Sequence, residues 1–209
     1  MRYGHYQNIE NYYLPNRTKY LTMKLENSPS DELHWFVLKT IFSREMRVKN
    51  LLDERGIESF IPMQYKIKTK FGKKDKVLVP VIKDLIFVHA EKQRVEEFKK
   101  ELSLREGFEA YFLTRKEGYK RIIEIIPDKQ MEDFINVASH FNDDITYFKS
   151  EDIELKKGTK VRVIGGIFDG VEGTLLKVKG KRSKRIVIEI PGVAIAASYI
   201  EPDLIEVLK

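Results

Sequence analysis

The stretch Val161–Val178, VRVIGGIFDGVEGTLLKV, limits the folds open to this chain more than any other. A short β-branched strand runs into Gly165-Gly166, passes Phe168, Gly170 and Gly173, and returns as a second apolar strand. Glycines at such places let the backbone bend or let another strand approach closely. Strands on either side of them predict a small, tightly curled antiparallel barrel at the end of the chain. A glycine-rich hairpin is also what any small barrel carries, so the pattern names a shape before it names a family.

Ahead of that barrel there is room for one more domain, since the chain has 209 residues. Cysteine is absent, which removes disulfides, thiolate nucleophiles and cysteine-ligated zinc. No apolar run reaches the ~20 residues that cross a bilayer. The opening MRYGHYQNIENYY lacks the apolar core of a secretion signal. A cytoplasmic monomer without a membrane partner is the expectation. Net charge is +6 over the chain, and the excess sits in two blocks. Residues 34–141 carry 22 basic against 17 acidic side chains, and residues 158–209 carry 9 against 6. Between them, 142–157 has 3 basic and 5 acidic residues. Two basic units on an acidic connector suit a nucleic-acid complex, and plain solubility accounts for the same excess.

Residues 1–33 are polar, tyrosine-rich and aperiodic, and read as a poorly ordered extension, with Met23 an alternative start. Trp35-Phe36-Val37-Leu38 has the pattern of a buried strand. Ser43 is placed to cap a helix whose face is Val48, Leu51 and Leu52, with Gly56 after its end. Phe60-Ile61-Pro62 opens a second strand. Tyr65, Ile67, Thr69 and Phe71 then alternate with Lys66, Lys68 and Lys70, and Gly72-Lys73-Lys74-Asp75 turns the chain back into Val77-Leu78-Val79. Leu85–Val88 is a further buried strand, and Val95, Phe98 and Leu102 form a helical stripe. Phe108–Leu113 and Ile122–Ile126 read as strands, and Pro127-Asp128 starts a helix with Met131, Phe134, Ile135 and Ala138 inward. The order β-α-β-hairpin-β-α-β-α is that of a split βαβ sandwich, with helices on one side of a mainly antiparallel sheet. The fold class is therefore α+β: extension 1–33, front domain 34–141, acidic linker 142–157, barrel 158–209.

Val161–Val178 resembles the KOW motif, an SH3-like β-barrel module of transcription elongation factors and ribosomal proteins. Trp35-Phe36-Val37, then Glu45, Arg47 and Val48, then Phe87-Val88 follow the order of motifs in the NusG family. Together the two halves resemble that family, an NGN domain followed by a KOW domain, over roughly 34–209. Leu85–Ala90, the closing Tyr199–Glu206 and the inserted lysine hairpin are similar to the UpxY type of paralogue from capsular polysaccharide operons of gut Bacteroidetes. Where the family often has Phe-Pro-Gly-Tyr, this chain has Ile82-Lys83-Asp84-Leu85, so the aromatic hook and glycine bend are expected to be lost. Ile167 stands where a proline usually precedes the KOW aromatic.

The resemblance implies a front domain that docks on the clamp coiled coil of RNA polymerase through an apolar pocket. By position the pocket involves Trp35, Phe36, Ile82, Leu85 and Phe87, residues that fit a plain core equally well. Lys66, Lys68, Lys70, Lys73 and Lys74 crowd one face and tip of the hairpin and suit DNA or nascent RNA phosphates, or simply a solvated strand face. Lys181, Arg182, Lys184 and Arg185 form a basic turn able to meet RNA, or a charged hairpin loop. Phe168, between glycines, is expected to be exposed at the hairpin tip for a partner, in the wider family a ribosomal protein or the termination factor Rho. No catalytic constellation is legible. His5, His34, His89 and His140 lie far apart, and there is no HExxH, no phosphate loop and no Gly-x-Ser-x-Gly elbow. No cofactor or metal is expected. The reading is a non-enzymatic elongation factor, an operon-specific antiterminator in polysaccharide biosynthesis. The alternatives are a general housekeeping family member and a KOW-type RNA-binding or ribosome-associated protein.

Overall fold

A computed structural model describes residues 32–140, 145–148, 158–178, 182–190 and 194–208. Nearly all of the expected extension 1–33 and most of the linker 142–157 lie outside the described residues, as does Lys181.

The front half is built on β1 (Leu33–Lys39), whose core residues are buried on both faces. Such a strand must be central and must be covered twice. It pairs antiparallel with β5 (Leu85–Glu91), which in turn pairs antiparallel with β2 (Glu58–Phe60). Strands β1 and β2 are thus parallel with β5 between them, the split βαβ arrangement. Short strands β6 (Tyr111–Phe112) and β9 (Ile125–Ile126) complete the sheet on the far side of β1. Helix α1 (Glu45–Glu54) and helix α2 (Lys92–Glu101) supply Val48, Leu51, Leu52, Val95 and Phe98 to the face holding Phe36, Leu38, Ile86 and Val88. Helix α3 (Asp128–Ala138) supplies Met131, Phe134, Val137 and Ala138 to the opposite face, against Trp35, Val37, Phe60 and Phe87.

Helices therefore cover both sides of the sheet, which corrects the one-sided sandwich expected above. The physical reason is in β1 itself: Trp-Phe-Val-Leu puts large apolar groups on each face, and one helical layer would leave half of them wet. Ser43 is not the cap of α1 either. It has a left-handed φ of 53°, and its backbone N–H donates to Asp84 Oδ1 at 2.6 Å. The Asp84 N–H reaches Glu45 Oε2 at 3.3 Å in return, so a loop from elsewhere in the sequence closes the helix start. At the other end Gly56 does terminate α1, at φ 62°. The Gly56 N–H bonds Asp53 O and the Ile57 N–H bonds Leu52 O, a Schellman closure.

Two ribbons pair only with themselves. The first joins β3 (Met63–Lys70) to β4 (Lys73–Pro80), and the second joins β7 (Thr114–Glu117) to β8 (Lys120–Ile123). The back half is a six-stranded antiparallel sheet in the order β10-β14-β13-β12-β11-β15. Its strands are Thr146–Phe148, Thr159–Val163, Glu172–Lys177, Lys184–Ile190, Ala194–Ser198 and Ile205–Val207, β10 to β15 in turn. Among the described residues its pairings run from one end to the other without closing into a ring. Strand β10 falls inside the expected linker and pairs with β14, so that part of the connector belongs to the second sheet.

Candidate docking face and nucleic-acid interface

The expected apolar pocket is divided by the structure. Trp35, Phe36 and Phe87 are core residues, no more than 4% exposed, and Phe36 lies on the face opposite Trp35 and Phe87. Trp35 stacks flat on His89 at 4.8 Å, and His89 Nδ1 lies 2.8 Å from Glu58 Oε2, a row running across β1, β5 and β2. Ile82 and Leu85 are half-buried and pack on the cluster that contains Trp35 and Phe87. They are the members of the set that keep accessible surface. The departure from Phe-Pro-Gly-Tyr is smaller than expected. Asp84, at the place of the glycine, has φ 59°, so the left-handed bend survives without glycine. Aspartate tolerates that region because its short side chain bonds locally, here to Ser43 N–H.

That cluster does not stop at the front half. It continues through α3 into Val161, Val163, Phe168, Ile186, Ile188 and Ile190 of the second sheet. Lys129 Nζ donates to Gly170 O at 3.0 Å, Gln130 Nε2 donates to Glu189 O at 2.5 Å, and Tyr147 Oη donates to Ala138 O at 3.4 Å. Asp133 sits in this seam: burial pushes its carboxyl up, against the opposing pull of Lys129 Nζ at 2.6 Å. Burial alone pushes the Tyr147 phenol well up.

In the glycine-rich hairpin, β11 pairs with β12 with Val161 opposite Gly173. A Cβ on Gly173 would lie 2.8 Å from Val187 O and 2.7 Å from the Ile188 side chain, so close approach of β13 is what requires glycine there. Gly165, Gly166 and Gly170 all have positive φ. The 3-10 turn Gly166–Phe168 sends Phe168 inward, 4% exposed and edge-on to His140 at 5.0 Å. The exposed aromatic tip expected here is therefore an exposed Ile167, and the aromatic is a core residue. In the following basic turn Arg182 and Lys184 are exposed, whereas Arg185 is buried on β13.

The lysine ribbon is rooted in the front core, where Met63 is buried and Leu78 packs on the cluster that contains Phe36. Its outer part, residues 66–69 and 71–76, is exposed. Its two-residue turn is Phe71-Gly72, with φ of 50° and 76°, between paired Lys70 and Lys73. The turn comes two residues earlier than expected and removes Phe71 from the strand face. Two positive φ values are the hairpin geometry that matches strand twist, and a phenylalanine there carries ~1–2 kcal/mol of backbone cost. In the observed register Lys66, Lys68 and Lys73 share one face, while Lys74 and Lys76 lie on the other with Tyr65 and Ile67. Lys76 Nζ sits 4.5 Å over the Tyr65 ring. Ile67 and Phe71 are largely exposed, so the outer part of the ribbon has no core face. Six lysines and one aspartate give Met63–Lys70 and Lys73–Pro80 a net charge of +5.

Sequence reasoning passed over two features. One is the Asp84–Ser43–Glu45 latch, which joins residues about forty apart and has no local signature. The other is the second ribbon, whose signal was present: Gly118-Tyr119 between Arg-Lys-Glu and Lys-Arg is a two-residue hairpin pattern. Among the described residues no three His, Asp or Glu side chains gather as a metal site, and no helix is long and apolar enough to cross a membrane.

The front half is thus a split βαβ sheet covered by helices on both faces, with a basic ribbon leaving each of its edges. Residues 33–135 match the family described as transcription termination factor nusG. No curated protein sequence matches the chain. Proteins of the matched family are transcription factors that bind RNA polymerase.

Proposed function

We propose that the chain is an operon-specific antitermination factor that rides on RNA polymerase, of the UpxY type, serving a polysaccharide biosynthesis operon. The front domain docks on the clamp coiled coil, with Ile82 and Leu85 making first contact and Trp35 and Phe87 backing them from the core. Apolar anchors of that kind contribute a few kcal/mol each when desolvated. The lysine ribbon grips DNA or nascent RNA through phosphates, and the second sheet acts as a KOW module for a further partner. Bound to the non-paused polymerase more tightly than to the paused one, the factor shifts the balance between them. A tenfold change in pause lifetime needs only ~1.4 kcal/mol of such preference.

The observation that supports this reading best is the ribbon with its +5 charge, exposed over its outer part, on a domain that matches the nusG family. The lysine-bearing outer part of the ribbon, residues 66–69 and 71–76, is exposed and adds nothing to the core that its base packs on. The test is association with core RNA polymerase on a transcription scaffold across a salt series. The full chain is expected to bind, with Lys66→Ala/Lys68→Ala/Lys73→Ala weakening binding and lowering the salt slope by about 0.7–0.9 per lost phosphate contact. Absence of binding, or a salt slope indifferent to those lysines, overturns the reading.

A further inference from the structure

The ribbon Thr114–Ile123 has no part in the function proposed so far, yet it repeats the plan of the lysine ribbon. It too pairs only with itself, turns on two residues and places an aromatic at the turn. Tyr119 is fully exposed. Arg115, Lys116, Lys120 and Arg121 against Glu117 leave the ribbon at +3. Arg115 is tied to Glu124 at 3.5 Å and to Glu117 at 3.8 Å. Among the described residues Lys116, Lys120 and Arg121 have no carboxylate within ion-pair distance. Lys116 lies directly across from Arg121 in the register, a like-charged cross-strand pair that disfavours the hairpin on its own. A polyanion laid across that face relieves the repulsion.

The two ribbons leave opposite edges of the front sheet. The lysine ribbon follows edge strand β2, and this one connects β6 and β9 on the far side of β1. A lone exposed aromatic is common on protein surfaces and means little. An exposed ring at a glycine turn, flanked by unpaired cations, is the composition of a stacking contact for nucleic acid. A ring stacks on a base only where the base face is open, which favours a single strand over a duplex.

We infer that Thr114–Ile123 is a second nucleic-acid contact, in which Tyr119 stacks on an unpaired base while Lys116, Lys120 and Arg121 hold the flanking phosphates. The test uses the full chain without polymerase, so its outcome is independent of the docking reading. Fluorescence anisotropy is read with a labelled oligothymidine and with a labelled blunt duplex. Tyr119→Ala is expected to weaken single-strand binding by about 5- to 100-fold, the range for loss of one stacked base. Tyr119→Phe retains the affinity, the duplex changes less, and Lys116→Ala/Arg121→Ala lowers the salt slope by about 0.7 per contact. Photocrosslinking of an iodouracil strand is expected to map to Tyr119. Unchanged single-strand affinity in Tyr119→Ala, equal losses on the duplex, or tighter binding to anionic vesicles than to the strand each overturn the proposal.

Discussion

Asp84 carries more of this fold than its place in a surface loop suggests. Its left-handed backbone turns the chain into β5, its carbonyl accepts from Thr40 N–H at 2.8 Å, and its side chain satisfies Ser43 N–H. Replacement by alanine keeps the unfavourable φ and loses the side-chain bond, at an expected cost of about 1–2 kcal/mol. Asp84→Gly loses the same bond but removes the strain, so it is expected to be the milder change. Urea denaturation of both variants checks this, and an alanine variant more stable than the glycine variant refutes it. The bend was misjudged from sequence because glycine is the usual marker of positive φ and aspartate is a less frequent one. Phe168 was misjudged for a related reason. Glycines on both sides advertise a turn but do not say which way its aromatic points. Gly173 shows the opposite case, since a glycine inside a strand pattern does announce close packing.

At the level of elements, helices α1 and α2 are tied at their C-terminal ends. Arg55 Nε donates to Glu101 Oε2 at 2.6 Å, and the Arg55 guanidinium lies 5.5 Å from the Phe98 ring centroid. The Arg55 hydrogen bond holds the Glu101 carboxyl below the usual glutamate range, outweighing the opposing effect of desolvation. A carboxyl lowered on folding adds stability above its unfolded value, and loses it as pH falls through the folded value. Glu101→Gln is therefore expected to lower Tm at neutral pH, with the gap to the parent protein closing in acid. A gap that stays constant from neutral to acid pH contradicts the assignment. Long apolar or periodic elements such as β1, β5 and α3 were legible because their pattern is their burial. The lysine ribbon was legible as a hairpin, though its turn slid by two residues because Phe71, a poor αL former, occupies the turn. Helix placement on two faces was not legible, since a doubly buried strand demands two covers without saying which helix provides each.

On the scale of the molecule, α3 is the middle layer. Its Phe134 contacts Phe60 edge-on at 6.3 Å and Phe87 at 5.8 Å, and the same helix meets the second sheet through Lys129 and Gln130. Phe134 is completely buried. Phe134→Ala is expected to cost about 3–5 kcal/mol and to loosen both halves together. Thermal unfolding followed by far-UV signal and by Trp35 fluorescence checks the coupling, and a second sheet that melts unchanged argues against a shared core. None of this continuity is written in the sequence, where the acidic run 142–157 reads as a boundary; apolar residues far apart in the chain reveal a common core only once folded.

The most direct measurement is the fraction of transcripts that pass an early terminator in a reconstituted reaction, with and without the full chain. Read-through is expected to rise several-fold with the chain present and to fall back when the polymerase lacks its clamp coiled-coil tip. An unchanged fraction with intact polymerase would contradict a transcription factor that acts by riding on that enzyme.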